Sequence, residues 1–220
     1  MQESSSYKYM QQFRLKDIEI ISGLKSYTIH KLEEQFGFLE NTKSANKQKR
    51  YSIDGLITLL NISLLYHYGF TLTQIASYSI DELKSKSNNI DIDGHNYKLN
   101  SIKLLIHIFS LDAKRAKHHI ENLINSIGVE SCITLVCYPA LNRLKNEIVE
   151  RTNIMVQKQL LYYLIQNKII AATDAIPLLS SSNQTIVLFS PYDKKDNITL
   201  IYLHYLLRKH KLTVLYLGNN

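Results

Sequence analysis

The sequence predicts a mainly α-helical protein ending in a short strand–helix–strand unit, and three observations predict it. Only 3 Pro and 7 Gly interrupt 220 residues rich in Leu, Ile, Asn and Lys, so few positions oppose helix formation. Apolar residues recur at helical spacing in successive stretches between residues 15 and 170. Near the end, 185–189 and 212–217 are short apolar runs of strand type on either side of one more helical stretch.

A chain of this length holds two or three small units rather than one large core. Its formal charge of +7 is compatible with a nucleic-acid partner without establishing one. Residues 1–80 carry 9 of the 26 basic and 7 of the 19 acidic residues, so the excess is spread along the chain. Cys132 and Cys137 lie five apart in a helical apolar pattern. On an α-helix they do not share a face, and they read as two small buried side chains in a reducing compartment. No signal peptide and no apolar run of about 18 residues is visible, which points to a cytoplasmic protein without a membrane span.

The first 12 residues are polar, and the beginning of that tail is expected to be disordered. From Phe13 to Tyr51 two short helices are expected around a tight turn. The first buries Leu15, Ile18, Ile21 and Ile20, and Gly23 supplies a turn residue that tolerates positive φ. Ser26 opens the second as a cap; Ile29, Leu32 and Phe36 face inward. Tyr27, Thr28, His30 and Lys31 are left pointing elsewhere. A short helix held by its apolar side, with amphipathic and cationic groups outward, suits a DNA major groove. Lys43, Lys47, Lys49 and Arg50 follow with no acidic residue between them, a phosphate-seeking segment.

Ser52 and Asp54 then start a helix running through Leu56, Leu59, Leu60 and Leu64 to Gly69. Thr71 with Gln74 forms a capping box for another short one. Residues 81–100 read as a linker with turn signals at Asn88-Asn89 and Asp93-Gly94. Asp91, Asp93 and His95 lack the later glutamate of a calcium loop, so no metal is expected. Residues 101–180 read as a four-helix bundle, kinked at Pro139. His118 and His119 are adjacent, point to different sides, and are taken as solvated. Residues 181–220 form the βαβ unit, parallel because its connection is long. It carries no Gly-rich phosphate loop.

Leu15-Lys16-Asp17-Ile18-Glu19, Ser22-Gly23-Leu24-Lys25, Tyr27-Thr28-Ile29-His30 and Leu32-Glu33 follow one another in an order that resembles the N-terminal domain of MerR-type transcription regulators. The resemblance runs to about Ser79. It implies a winged helix-turn-helix over 1–80, with a short strand near 9–13 pairing with the wing. His30 stands where the family usually has a DNA-contacting arginine, and Leu32 where it has tryptophan. The second half resembles the sensor half of cobalamin-binding members. Pro139-Ala140-Leu141, Ile170-Ala171-Ala172-Thr173-Asp174 and Val214-Leu215-Tyr216-Leu217-Gly218 carry that likeness. It implies that the βαβ unit is a partial, truncated Rossmann-like domain. The ligand-set positions of that family fall on Ile148, Lys158, Gln159 and Asp196, and its following glycine on Thr199. Aspartate is a hard oxygen ligand and a poor substitute for imidazole on cobalt. No cofactor is therefore expected.

The function these readings imply is sequence-specific, MerR-type transcription regulation. Tyr27, Thr28 and His30 would meet base edges or nearby phosphates, with Ser26 at the helix start. Lys16, Lys25 and Lys31 would anchor on phosphates; Lys43, Lys49, Arg50 and Tyr51 would place the wing. The implied partners are double-stranded DNA, RNA polymerase indirectly at a promoter, and a second copy in a homodimer. The alternative is a protein-interaction module on the same scaffold. An enzyme is not expected: no nucleophile–base pair or carboxylate pair has recognisable spacing. Asp193 and Asp196, with Lys194 and Lys195 between them, read as a solvated loop.

Overall fold

The computed structural model describes residues 12–36, 42–43, 49–177, 185–190 and 198–219. It is mainly α-helical with a small two-stranded parallel sheet near the C-terminus. The chain divides into two compact units, 1–160 and 161–220.

The first unit starts with α1 (Leu15–Ser22) and α2 (Ser26–Phe36), joined by a three-residue turn. Two short strands, β1 (Thr42–Lys43) and β2 (Lys49–Arg50), pair antiparallel, and Phe13 bridges Tyr51 just beyond them. The strand expected near 9–13 is thus represented by Phe13 alone, since 1–11 lie outside the described residues. Next come α3 (Ile53–Tyr68) and α4 (Leu72–Ala76). Their caps are those the sequence announces: Ser52 Oγ accepts from the Gly55 N–H at 3.1 Å, and Thr71 and Gln74 close their capping box.

Residues 81–100 begin inside a helix, α5 (Ile80–Asn89), held by a second capping box between Ser79 and Glu82. Leu83 is fully buried, and the Ser87 hydroxyl donates to the Asn61 side chain of α3. α3 also packs on α1 and on α6 (Tyr97–Phe109), and α3 and α6 each bury a run of core side chains. Phe13 meets Phe109 edge to face at 6.3 Å.

Helix α7 (Ala113–Ser131) passes through a break at Gly128, φ 81°, into a π-helical segment (Cys132–Cys137) and then α8 (Tyr138–Arg143). The expected kink at Pro139 takes the form of this π turn. Proline has no N–H to donate, and its ring crowds the carbonyl four residues back, so a wider turn just before it relieves both problems. The wider turn also corrects the reading of the cysteines. Residues five apart stack on a π-helix, and the Cys132 and Cys137 sulfurs lie 4.0 Å apart, both fully buried. The mutual hydrogen bond, then burial, raise the Cys137 thiol well above its ordinary value.

Ala113–Arg143 is the one described helical stretch whose length and composition match a membrane span. Ile120, Leu123, Cys132, Ile133, Val136 and Ala140 of this stretch are buried inside the fold, while Leu135 is exposed and 33% of its apolar window is buried in all. The stretch that continues it breaks at Leu144, and α9 (Asn146–Thr152) and α10 (Met155–Asp174) follow, the division between the two units falling within α10.

In the second unit β3 (Thr185–Ser190) and β4 (Thr213–Asn219) pair in parallel with α11 (Ile198–Lys209) between them in sequence. The N–H of Ile198 donates to the Tyr162 hydroxyl at 2.6 Å, and Tyr216 stacks on His204 of α11. The strand 185–189, expected to be buried, is covered on one face only. Leu188 is buried, while Val187, Phe189, Leu215 and Leu217 are each about half exposed, because α11 packs against only one side of a two-stranded sheet.

Candidate nucleic-acid interface

The motif residues of α1 build the turn that presents α2. Asp17 is 2% exposed; it accepts the Arg14 N–H at 2.8 Å and an ion pair from Arg151 of α9. Glu19 reaches across the turn to accept the Ser26 N–H at 2.7 Å, so a carboxylate of the first helix caps the second. Ser26 therefore begins α2 as a residue being capped; no side-chain cap of its own is seen. The Ser22 hydroxyl donates to Ile18 O at 2.6 Å and accepts the Leu24 N–H at 3.2 Å, while its carbonyl receives the Ser63 hydroxyl of α3 at 2.7 Å. Between them Gly23 sits at φ 74°, where a side chain would be strained, and its N–H closes α1 on Glu19 O. The Arg143 guanidinium of α8 covers this turn and donates to Ile21 O at 3.2 Å.

With Ile29 and Leu32 fully buried, α2 turns its other side to solvent. Tyr27 is 76% exposed, and His30 and Lys31 are exposed three and four residues further on, one helical face. Glu34 is exposed on that face as well. Lys16 and Lys25 are exposed; Ser26 and Thr28 are half-buried.

Glu33 ties α2 to the strand pair. Its side chain is 8% exposed and takes three hydrogen bonds: from the Tyr51 hydroxyl at 2.6 Å, from Lys49 Nζ at 2.9 Å, and with His30 Nδ1 at 2.9 Å. Burial alone would raise this carboxyl; the bonds from Tyr51, Lys49 and His30 together outweigh burial and hold it below its ordinary value. Burial, then the bond to Glu33, push the Tyr51 phenol up.

Tyr51, expected at the wing surface, is 1% exposed and spends its hydroxyl on Glu33, so it positions its neighbours rather than facing outward. Lys49 is exposed and Arg50 half-buried on β2; Lys43 lies on β1, its side chain and all of Lys47 outside the described residues. The interface thus gathers Tyr51, Lys49 and His30 around one carboxylate, with Tyr27 and Lys31 on the exposed face of α2. No family model matches this chain. No curated protein matches it either.

Sequence reasoning passed over Asp17, Glu19 and Glu33 as groups that organise the interface. Each is an acid inside a basic or apolar context, which is the signal that could have found them. Arg143 and Arg151 had no local signal at all. Among the described residues no group of three or more His, Cys, Asp or Glu could hold a metal ion. Asp193 and Asp196 lie outside the described residues.

Proposed function

We propose that this chain is a sequence-specific DNA-binding transcription regulator of the MerR type, a cytoplasmic homodimer and not an enzyme. In this reading 1–80 is a winged helix-turn-helix, the helices after it a bundle, and the C-terminal strands a partial Rossmann-like unit. The observation that carries it is α2: an apolar side fully buried, an opposite side offering Tyr27, His30 and Lys31, and Lys49 fastened beside it through Glu33. Tyr27, Thr28 and His30 meet base edges or nearby phosphates; Lys16, Lys25, Lys31, Lys49 and Arg50 meet phosphates. Tyr51 contributes by holding Glu33. RNA polymerase is an indirect partner at the promoter.

The reading carries no cobalamin. Ile148, at the position of the family's tryptophan, is buried; Gln159 is exposed on α10, and the Lys158 ammonium is hydrogen-bonded to the Asn146 side chain. None of these supplies an imidazole to a metal.

The carboxylates favour a second reading, a protein-interaction module on the same scaffold. Glu34 shares the outward face of α2, and Glu33 engages two of its neighbours' cationic or imidazole groups, which lowers the positive potential a phosphate would meet. Titrating random duplex DNA with the full chain over a salt series separates the two. The regulator reading predicts binding whose log affinity falls linearly with log salt, at a slope near −0.9 for each phosphate met. Absence of binding at low salt supports the interaction module.

A further inference from the structure

Glu33 holds two kinds of bond. Its bond to Tyr51 is buried, since Tyr51 is 1% exposed, and nothing arriving from solvent can take it over. Its bonds to Lys49 and His30 are different: those side chains are 51% and 47% exposed. A lysine–carboxylate pair with one partner in water is a weak interaction, and it yields readily to a competing anion. The phosphate of a nucleic-acid backbone is such an anion, and Lys49 is on the strand that borders α2.

We propose that Glu33 is an internal stand-in for phosphate, a positioning residue that keeps Lys49 folded against α2 until a DNA phosphate displaces it. Tyr51 pins the carboxylate, so the site is preformed without DNA. On binding, the Lys49 ammonium leaves Glu33 for the phosphate, while His30 keeps its bond to Glu33. The exchange sets a tax on affinity that every duplex pays alike; phosphate contacts do not read sequence. It therefore tunes the regulator toward weak nonspecific binding and leaves discrimination to Tyr27 and Thr28. The inference rests on the DNA-binding reading above.

A double-mutant cycle in duplex binding tests it, with the full chain and random-sequence DNA at fixed low salt. Glu33→Gln keeps an acceptor for Tyr51 and removes the charge that holds Lys49. It is expected to tighten binding roughly two- to five-fold. Lys49→Ala is expected to weaken binding and make the salt slope shallower by about one. In the Lys49→Ala chain, Glu33→Gln should give no further gain. A gain that survives in that chain means Glu33 acts by general repulsion, and overturns the exchange; so does a loss of affinity in Glu33→Gln with an unchanged melting temperature. If Glu33→Gln lowers the melting temperature, amine methylation of the unaltered chain decides instead. Lys49 should react more slowly than the exposed Lys31, and equal rates overturn the proposal. A wild-type chain that binds no duplex at low salt removes the DNA-binding reading itself, and the exchange falls with it.

Discussion

Acidifying the full chain from pH 6.5 to pH 4 is expected to remove several kcal/mol of stability, most of it from two imidazoles in the helical core. His107 of α6 is 6% exposed, and its ring meets that of His119 of α7 at 6.0 Å. The His119 ring nitrogen Nε2 donates to Asn100 O at 3.1 Å, which places a proton on Nε2. Burial, with the facing His119 and Lys103 adding to it, pushes His107 down to about 4. Burial likewise pushes His119 down to about 4, against the pull of its bond to Asn100. In the unfolded chain both titrate near 6.5. The unfolded state thus takes up protons before the folded one does. Stability is complete above pH 6.5 and is lost progressively down to pH 4. At about 1.4 kcal/mol per pH unit the window is worth about 3 kcal/mol for each ring. Denaturant melts at half-unit steps check this. His119→Gln, which keeps a donor for Asn100 O and cannot titrate, should flatten about half of the slope. A stability independent of pH across the window would contradict the account.

The second large effect is expected at Arg151→Met. Asp17 keeps only 3% of its side-chain surface in water, and without Arg151 its charge is left with the Arg14 N–H. Stranding one member of a buried pair costs about 3–5 kcal/mol. Arg151 is itself one-third exposed, so solvent already screens part of the pair, and a loss of about 2–3 kcal/mol is expected. Adding Asp17→Asn should recover part of that loss, because the stranded charge disappears with it. The measurement is the denaturation midpoint of the two variants of the full chain. The effect reaches the interface, since α1 carries both Asp17 and the Glu19 carboxylate that caps α2.

Arg151 and Arg143 mark the limit of what the sequence could tell. Ser52, the Thr71–Gln74 box, Gly23 and Gly69 are local devices, each complete within a few residues, and they could be read as they stood. The Ser79–Glu82 box is equally local, yet the polar composition after it reads as a linker, and the box is missed. Arg151 and Asp17 are 134 residues apart, and Arg143 and Ile21 122, so no pattern near α1 announces what clamps it. The cysteines were placed by the period of an α-helix, and the π turn ahead of Pro139 changed that period. The sequence reads His118 and His119 both as solvated, yet neighbours on a helix point about 100° apart, and His119 is the one that turns toward the core. Of the interface, the outward set on α2 was legible from the spacing of Ile29 and Leu32. The role of Tyr51 was not: an aromatic ring in a basic run reads as surface, and only its pairing with Phe13 and Glu33 buries it.

The central claim is that α2 and the neighbouring strands read DNA, and selection tests it most directly. The full chain is incubated with a random duplex pool at moderate salt, and the bound fraction is sequenced after successive rounds. The account predicts an enriched inverted repeat, because two copies related by a twofold axis present two α2 helices to two half-sites. The enrichment should weaken when Tyr27 and Thr28 are both changed to alanine. A bound pool with no enriched sequence, or no bound pool at all, would contradict it.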